Sequence, residues 1–477
     1  MKLYRYRNIK SALTEIESGT LYFASQEELN DPIEGYVKLY FQGDQPAWEG
    51  LLRNYICSLF ISIQRFLVSS LAVDYENKSI ETILKDFSST TVVIDINRFD
   101  DVPMGNILKS LTTTFWNDAS VKTLVKIYGN RNEKCYSKEL QLILRAVHYT
   151  AFNICLRHCK SNGLLLDIPE IPSKPAFPFA SIESMSNNEW IKFANEAENS
   201  VTDMMEWLDF VTRHYKENMT DNKQVTSSHR QHMTWATIMV NFPKIYVAQL
   251  QDVIYPRGYV VCFSETPTDS AMWGNYAQNH QGVCFIYETQ MFKSQSVMSF
   301  DSRNFDIRKI TYSTNVTERN FFDTLGRLTY PQIKRWLTGK DESTSKILDT
   351  FSENNLESWR EKYWGNYVEK FHRKNTAWDH EHEYRILLHD TFYQYAQRET
   401  RLLQYDSTAL KGVIFGINTS VDDKFKLIQA IKIAGDKFKD VKFFQAEYEE
   451  DTQEIIIREK TYPDKKIFQN HLTEDKL

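Results

Sequence analysis

The chain opens by alternating charged and aromatic residues. In an extended strand, Leu3-Tyr4-Arg5-Tyr6-Arg7 puts Arg5 and Arg7 on one face and Tyr4 and Tyr6 on the other. Residues 11–18 carry a short helical pattern closed by Gly19, and 20–24 read as a second strand running into the polar turn at Asn30, Asp31 and Pro32. From about 44 to 249 the period changes. Long stretches such as 138–162 and 188–215 repeat their apolar positions at helical spacing, broken by a Pro-rich loop over 167–178. Strand character returns at 258–264 and 283–287. Between them lies a helix with Thr268 or Asp269 as its N-cap and Gly282 at its end. Residues 318–374 are again helical and charged, and 384–388, 412–415, 441–444 and 454–458 supply further strands.

None of these strands could bury its apolar face alone, so strands from both ends of the chain are expected to meet in one sheet. The predicted fold is α+β: a split, mainly antiparallel sheet with a large helical insertion. The core domain is discontinuous, 1–44 and 250–460. The insertion covers 45–249 and contributes fewer than four core strands, and 461–477 form a polar tail. No repeat of fixed period suggests a solenoid.

Composition narrows the function classes. With 57 Lys plus Arg against 63 Asp plus Glu, the formal charge is −6, which gives no global basic field for a polyanion and leaves nucleic acid disfavoured as a partner. The start MKLYRYRNIK never develops the apolar run of a secretory signal. The most apolar stretch, 54–73, is interrupted by Gln64 and Arg65 and reads as a buried helix rather than a membrane span. The six cysteines show no paired framework, so the expected compartment is the cytoplasm, and Cys155 and Cys159 lack the second pair that a zinc site needs.

Three places carry candidate chemistry. Asn30 and Asp31 before Pro32 read as an Asx-type turn or as a polar clamp at the mouth of a site. Trp273 and Tyr276 at helical spacing are core anchors or ligand-stacking groups. His280 caps the helix end or faces a ligand, and Ser264 satisfies the next turn or lines a cleft. The richest segment is 378–388, WDHEHEYRILL. Read as a strand, it aligns Glu381, Glu383 and Arg385 on one face, an arrangement expensive to bury without purpose; its plain alternative is an ion-paired edge in which Arg385 neutralises Glu383. His380 and His382 share the other face without a third ligand, so no metal is predicted.

Four segments together resemble the bacterial family known as Domain of Unknown Function 2971. They are LYRYR with LYFASQEELNDPIEG, VCFSETPTDSAMWGNYAQNHQGVCFIYE, AWDHEHEYRILL and LKGVIFGI. The resemblance covers the terminal portions and not the insertion, and the family name carries no activity. The order of an Arg-bearing first strand, a Ser-ended middle strand and a late strand with Glu-x-Glu is similar to the ADP-ribosyltransferase superfamily. That similarity implies NAD as substrate, bound by Tyr4, Arg5, Arg7, Asn30, Asp31, Trp273, Tyr276, His280 and Arg385. Ser264 would support the nicotinamide pocket, Glu383 would be the principal catalytic carboxylate, and Glu381 would assist it. It further implies a transferase or glycohydrolase acting as a toxin or phage-defence effector. Two alternatives stay open: a nuclease holding Mg²⁺ on Asp31, Asp379 and Glu381, and a non-catalytic sensory protein whose helical insertion docks a protein partner. On the NAD reading, these residues gather around one cleft, and Glu383→Gln abolishes activity while leaving the melting temperature nearly unchanged.

Overall fold

A computed structural model describes residues 1–70, 92–93, 103–161, 188–201, 203 and 237–462. The Pro-rich loop at 167–178, the distal part of the 188–215 stretch, residues 71–73 and the tail beyond 462 lie outside the described residues. The strands, in chain order, are β1 (Lys2–Arg7), β2 (Thr20–Tyr22), β3 (Lys38–Phe41), β4 (Cys135–Tyr136), β5 (Arg257–Ser264) and β6 (Val283–Glu288). Next come β7 (Gln290–Phe292), β8 (Gln295–Phe300), β9 (Arg303–Lys309), β10 (Thr311–Tyr312), β11 (Glu318–Asn320) and β12 (Arg373–Lys374). The last five are β13 (Glu383–Asp390), β14 (Leu402–Gln404), β15 (Leu410–Phe415), β16 (Lys442–Glu449) and β17 (Glu454–Lys460).

The chain divides into two compact units: one of residues 1–36, 256–315 and 365–477, the other of 37–255 and 316–364. The first holds a sheet of ten strands among the described residues, in the order β17-β16-β15-β6-β1-β5-β13-β9-β8-β7. All its named pairings are antiparallel except that of β15 with β16, so the fold is α+β with a mainly antiparallel sheet drawn from both chain ends, as the strand pattern predicts. β1 runs between β5 and β6, which places the first residues of the sequence at the centre of the sheet.

Alternation along these strands separates two apolar layers. On one face Leu3, Phe263, Phe285 and Ile386 pack with Ala12 and Ile16 of α1 (Ile9–Ser18) and with the helix Val421–Ile433. On the other face Tyr6, Cys284 and Ile286 pack with Met272 and Trp273 of the helix Ser270–Tyr276. α1 is closed as its sequence predicts, by Gly19 in the left-handed conformation, but it starts two residues earlier than the pattern, at Ile9, where Asn8 Oδ1 caps it by accepting the Ser11 N–H.

The second unit is built on α2 (Gln45–Ser70), whose residues 51–63 are all buried. It packs with the helices Pro103–Asn117, Ala119–Gly129 and Ser137–Ser161. The apolar stretch that begins at Asn54 is therefore a core helix, and no helix among the described residues is long and apolar enough to cross a membrane. Cys155 and Cys159 are buried in the same bundle, where burial pushes the Cys159 thiol up to about 11. Between 45 and 249 the described residues contain one strand, the two-residue β4.

The domain boundaries differ from the sequence reading in one respect. Residues 37–44, 250–255 and 316–364 belong with the helical unit, the first and last because β11 pairs in parallel with β3, Glu318 opposite Lys38, and β3 in turn pairs with β4. A second difference is the pair of hairpins β7 to β9, whose exposed residues lack a continuous apolar pattern.

Candidate functional site

The site lies within the first unit, on the sheet face that carries Tyr4 and Tyr6. Ser264 is in register with Tyr4 on one side and with Glu383 on the other, and Arg385 is in register with Cys262, so Tyr4, Ser264, Glu383 and Arg385 share this face. Arg5 and Arg7 do not. They emerge on the opposite face and converge on Glu15 of α1, at 3.4 and 2.6 Å, while Arg5 Nη1 donates to the Cys262 carbonyl at 2.7 Å. The expectation of one cleft holding all these residues is corrected here, because the strand period that puts Tyr4 on one face puts Arg5 and Arg7 on the other.

The segment 378–388 is also not one strand. Residues Thr376–Glu381 form a 3-10 turn capped by Asn375, and His382 takes a left-handed φ of 43° before β13 begins. Glu381 and Glu383 nonetheless reach the same partner, because Lys374 at the end of β12 lies 2.6 Å from Glu381 Oε2 and 3.3 Å from Glu383 Oε2. Arg385 donates from Nε and Nη2 to the two oxygens of Glu383 at 2.6 and 2.7 Å, and from Nη1 to the Phe371 carbonyl at 2.9 Å. Tyr276 Oη donates to Glu381 Oε1 at 2.6 Å, and Tyr312 Oη accepts the Glu383 N–H at 2.9 Å. The cluster is almost wholly buried, with Arg385 at 1% exposure and Glu383 at 4%.

A fifth charged member, missed in the sequence, is Glu34. Asp31 makes the Asx turn of the plain reading, its Oδ1 accepting the Ile33 N–H at 3.1 Å, while Asn30 stays exposed. That turn delivers the Glu34 carboxylate against Arg385 Nη1 and to 3.6 Å from Lys374 Nζ. The signal was present in NDPIEG, where a carboxylate follows the turn. Lys374, in a charged helical stretch, had none.

Electrostatics show the division of roles. Burial alone would raise Glu383, but Arg385 and Lys374 outweigh it and hold the carboxyl at about 2. Burial depresses Lys374 less than Glu383, Glu34 and Glu381 raise it, so it stays charged. At Glu34 burial wins over both cations and its carboxyl lies above the usual range. Burial and Glu381 push the Tyr276 phenol up. With both oxygens gripped by a guanidinium, Glu383 is held as part of an ion-paired scaffold rather than as a base near neutral pH.

Next to this scaffold is an open cleft of about 820 Å³, lined by Thr266, Thr268, Ser270, His280, His382, Tyr448 and Glu454 among others. The lining loop is pinned from below. Ser264 Oγ donates to the Glu381 carbonyl at 2.9 Å and accepts the Thr266 N–H at 3.3 Å; Tyr6 Oη donates to the Thr266 carbonyl at 2.8 Å, and Trp273 Nε1 to the Pro267 carbonyl at 2.7 Å. Ser264 and Trp273 thus follow their plain readings, as a turn-satisfying hydroxyl and a core anchor. The helix ends at Tyr276, short of Gly282, because Gln278, Asn279 and His280 all have positive φ. Gly282 is required there, since a Cβ would sit 2.1 Å from the Arg7 carbonyl oxygen. His280 stacks on Trp273 at 6.2 Å; its Nδ1 is buried without a hydrogen-bond partner, and burial lowers its pKa.

Among the described residues no group of three or more His, Cys, Asp and Glu is placed to hold a metal ion. Asp31, Asp379 and Glu381 form no such group, nor do His380 and His382 with a third residue, so the ligand set that the nuclease reading needs is not assembled here.

Fold and site define an α+β protein in which a buried five-charge scaffold supports an open polar cleft. Residues 272–386 match the family described as "Protein of unknown function (DUF2971)", in support of the resemblance carried by the motifs, and the matched stretch includes Tyr276, Lys374, Glu381, Glu383 and Arg385. No curated protein and no solved structure matches the chain.

Proposed function

We propose that the protein is an NAD-using enzyme that breaks the bond between nicotinamide and ribose, and that the ribosyl end of the substrate sits in the cleft of His280, His382 and Glu454. The observation that supports this reading is the convergence of two imidazoles, the hydroxyls of Thr266, Thr268 and Ser270 and the carboxylates of Asp269 and Glu454 on a cavity of about 820 Å³, a volume within the usual range for small-molecule sites. In this chemistry nicotinamide leaves with the bonding pair and the ribose carbon becomes cationic. A carboxylate facing that carbon stabilises it, and water or an acceptor hydroxyl supplies the new bond while an imidazole takes the proton. Asp269 is engaged as the helix N-cap, accepting the Met272 N–H at 2.8 Å, so Glu454 is the carboxylate assigned to the cation, in place of the gripped Glu383, and His280 is the base. No Lys or Arg is among the described residues lining the cleft, so the riboside, not the diphosphate, is what this surface suits.

Nicotinamide release from NAD by the full chain tests the reading. Glu454→Gln is expected to slow release by about 10²-fold or more, the usual loss on removing one preorganised charge-stabilising group, with the melting temperature unchanged. Absence of nicotinamide release from the wild type, together with no shift of its melting temperature by NAD or nicotinamide riboside, would sink it.

A further inference from the structure

The scaffold beside the cleft contains three carboxylates and two cations, and the three are not held alike. Glu383 takes a bidentate grip from Arg385, and Glu381 takes Lys374 at 2.6 Å and Tyr276 at 2.6 Å. Glu34 lies within ion-pair reach of Arg385 Nη1 and Lys374 Nζ, yet neither of its buried oxygens accepts a directed hydrogen bond. A carboxylate out of water that lacks directed donors is costly to keep. Glu34 also comes from outside the sheet, on a surface turn whose neighbours Ile33 and Tyr36 are 63% and 56% exposed. The turn is tied mostly to itself, through Asp31 to the Ile33 and Glu34 amides and through the Ile33 carbonyl to Tyr36. Behind it, Glu28 anchors the chain by an ion pair with Arg401 at 2.8 Å. The turn beyond Glu28 can therefore swing away as a unit without breaking a strand pairing.

We propose that Arg385 and Lys374 form an anion-binding site that Glu34 fills from within, and that a phosphate or diphosphate group takes its place when the turn swings out. Removal of Glu34 leaves the grip on Glu383 and the pairing of Glu381 intact and opens one N–H of Arg385 Nη1, whose other hydrogen stays on the Phe371 carbonyl, beside one face of the Lys374 ammonium, two donors that can meet phosphate oxygens. With Glu34 withdrawn, Lys374 and Arg385 face Glu381 and Glu383 alone, a neutral set, so an entering phosphate is held by directed donors rather than by net positive charge. This site is separate from the cleft chemistry proposed above, and its deciding probe, inorganic pyrophosphate, contains neither ribose nor nicotinamide.

The experiment uses the full chain and inorganic pyrophosphate, with ADP in a parallel arm. Amide hydrogen exchange over residues 30–36 is expected to rise at saturating pyrophosphate while β13 stays protected. Calorimetry is expected to show Glu34→Ala and Glu34→Gln binding pyrophosphate about tenfold tighter or more than the wild type, equivalent to about 1.4 kcal/mol of removed competition. ADP binding tighter than pyrophosphate identifies a nucleotide as the source of the phosphate, and equal binding identifies the free anion; either supports the site. No pyrophosphate binding, or binding that leaves exchange over 30–36 unchanged, overturns it. The exchange measurement on the wild type decides the matter should neither variant fold.

Discussion

At the scale of single residues, Glu383 shows how burial changes the meaning of a motif. The sequence reading expects Glu383→Gln to leave the melting temperature alone. With the carboxylate gripped by Arg385 and 3.3 Å from Lys374, the structure implies the opposite, because an amide removes the bidentate counter-charge of the buried Arg385 guanidinium and leaves it only the Glu34 contact. The expected loss is about 3 to 5 kcal/mol, read from chemical unfolding. The same carboxyl gives a pH signature. Its folded pKa of about 2 lies below its ordinary 4.5, so its contribution is complete above 4.5 and is lost as pH falls toward 2. In wild type this appears as a fall in unfolding free energy across that window, and in the Gln variant that part of the fall should be missing. Retained stability in the variant would show that the scaffold tolerates unpaired charge.

At the scale of elements, two places are set by conformation rather than by composition. The helix Ser270–Tyr276 is followed by three successive left-handed residues, of which exposed Gln278 has neither the glycine freedom nor the short polar side chain that suits this region. Gln278→Gly is expected to raise stability by about 0.5 to 1 kcal/mol, measured by thermal melting, and a loss would mean that the turn is held by contacts of the Gln side chain. In the helix Ser137–Ser161, His148 Nε2 lies 2.9 Å from the Ile238 carbonyl and so carries its hydrogen, which leaves Nδ1 to accept from Tyr55 Oη at 2.7 Å. Burial lowers the folded pKa of His148 to about 4, so the neutral ring favours the fold above pH 6.5 and that contribution is lost as pH falls from 6.5 toward 4. His148→Gln should flatten the pH dependence of unfolding in that window. A wild-type profile already flat between 6.5 and 4 would refute the assignment.

At the scale of the whole molecule, the position of β1 matters most. It pairs over all six residues with β6 and meets β5 at Tyr4, so deleting residues 1–8 would open the ten-stranded sheet in its middle and expose two strand edges at once. The truncated chain is expected to lose its cooperative unfolding transition and to collect in the insoluble fraction. Recovery of a soluble chain with the wild-type melting curve would contradict a central β1.

Local pattern in the sequence was enough to mark many of the individual elements, though not the hairpins β7 to β9 or the 3-10 turn Thr376–Glu381. The period-two alternation marked β1, β5, β6 and β13, the Gly19 stop closed α1, Asp269 capped its helix, and the strands at both ends of the chain required a common sheet. The helical period of α2 and of Ser137–Ser161 was equally legible, since each buries a continuous apolar surface. The tertiary structure alone decided which charged residues meet. Arg5 and Arg7 carry the same chemistry as Arg385, but the face on which each emerges depends on strand register, which sends two to Glu15 and one to Glu383. Glu34 joins Lys374, Glu381 and Glu383 from the opposite end of the chain, and no local pattern encodes that meeting. Nor does any pattern encode the left-handed turns that bring His280 and His382 to one cleft. Backbone conformation at such points is fixed by close approaches made after the sheet has formed, such as that of Gly282 to the Arg7 carbonyl, and these are properties of the assembled fold.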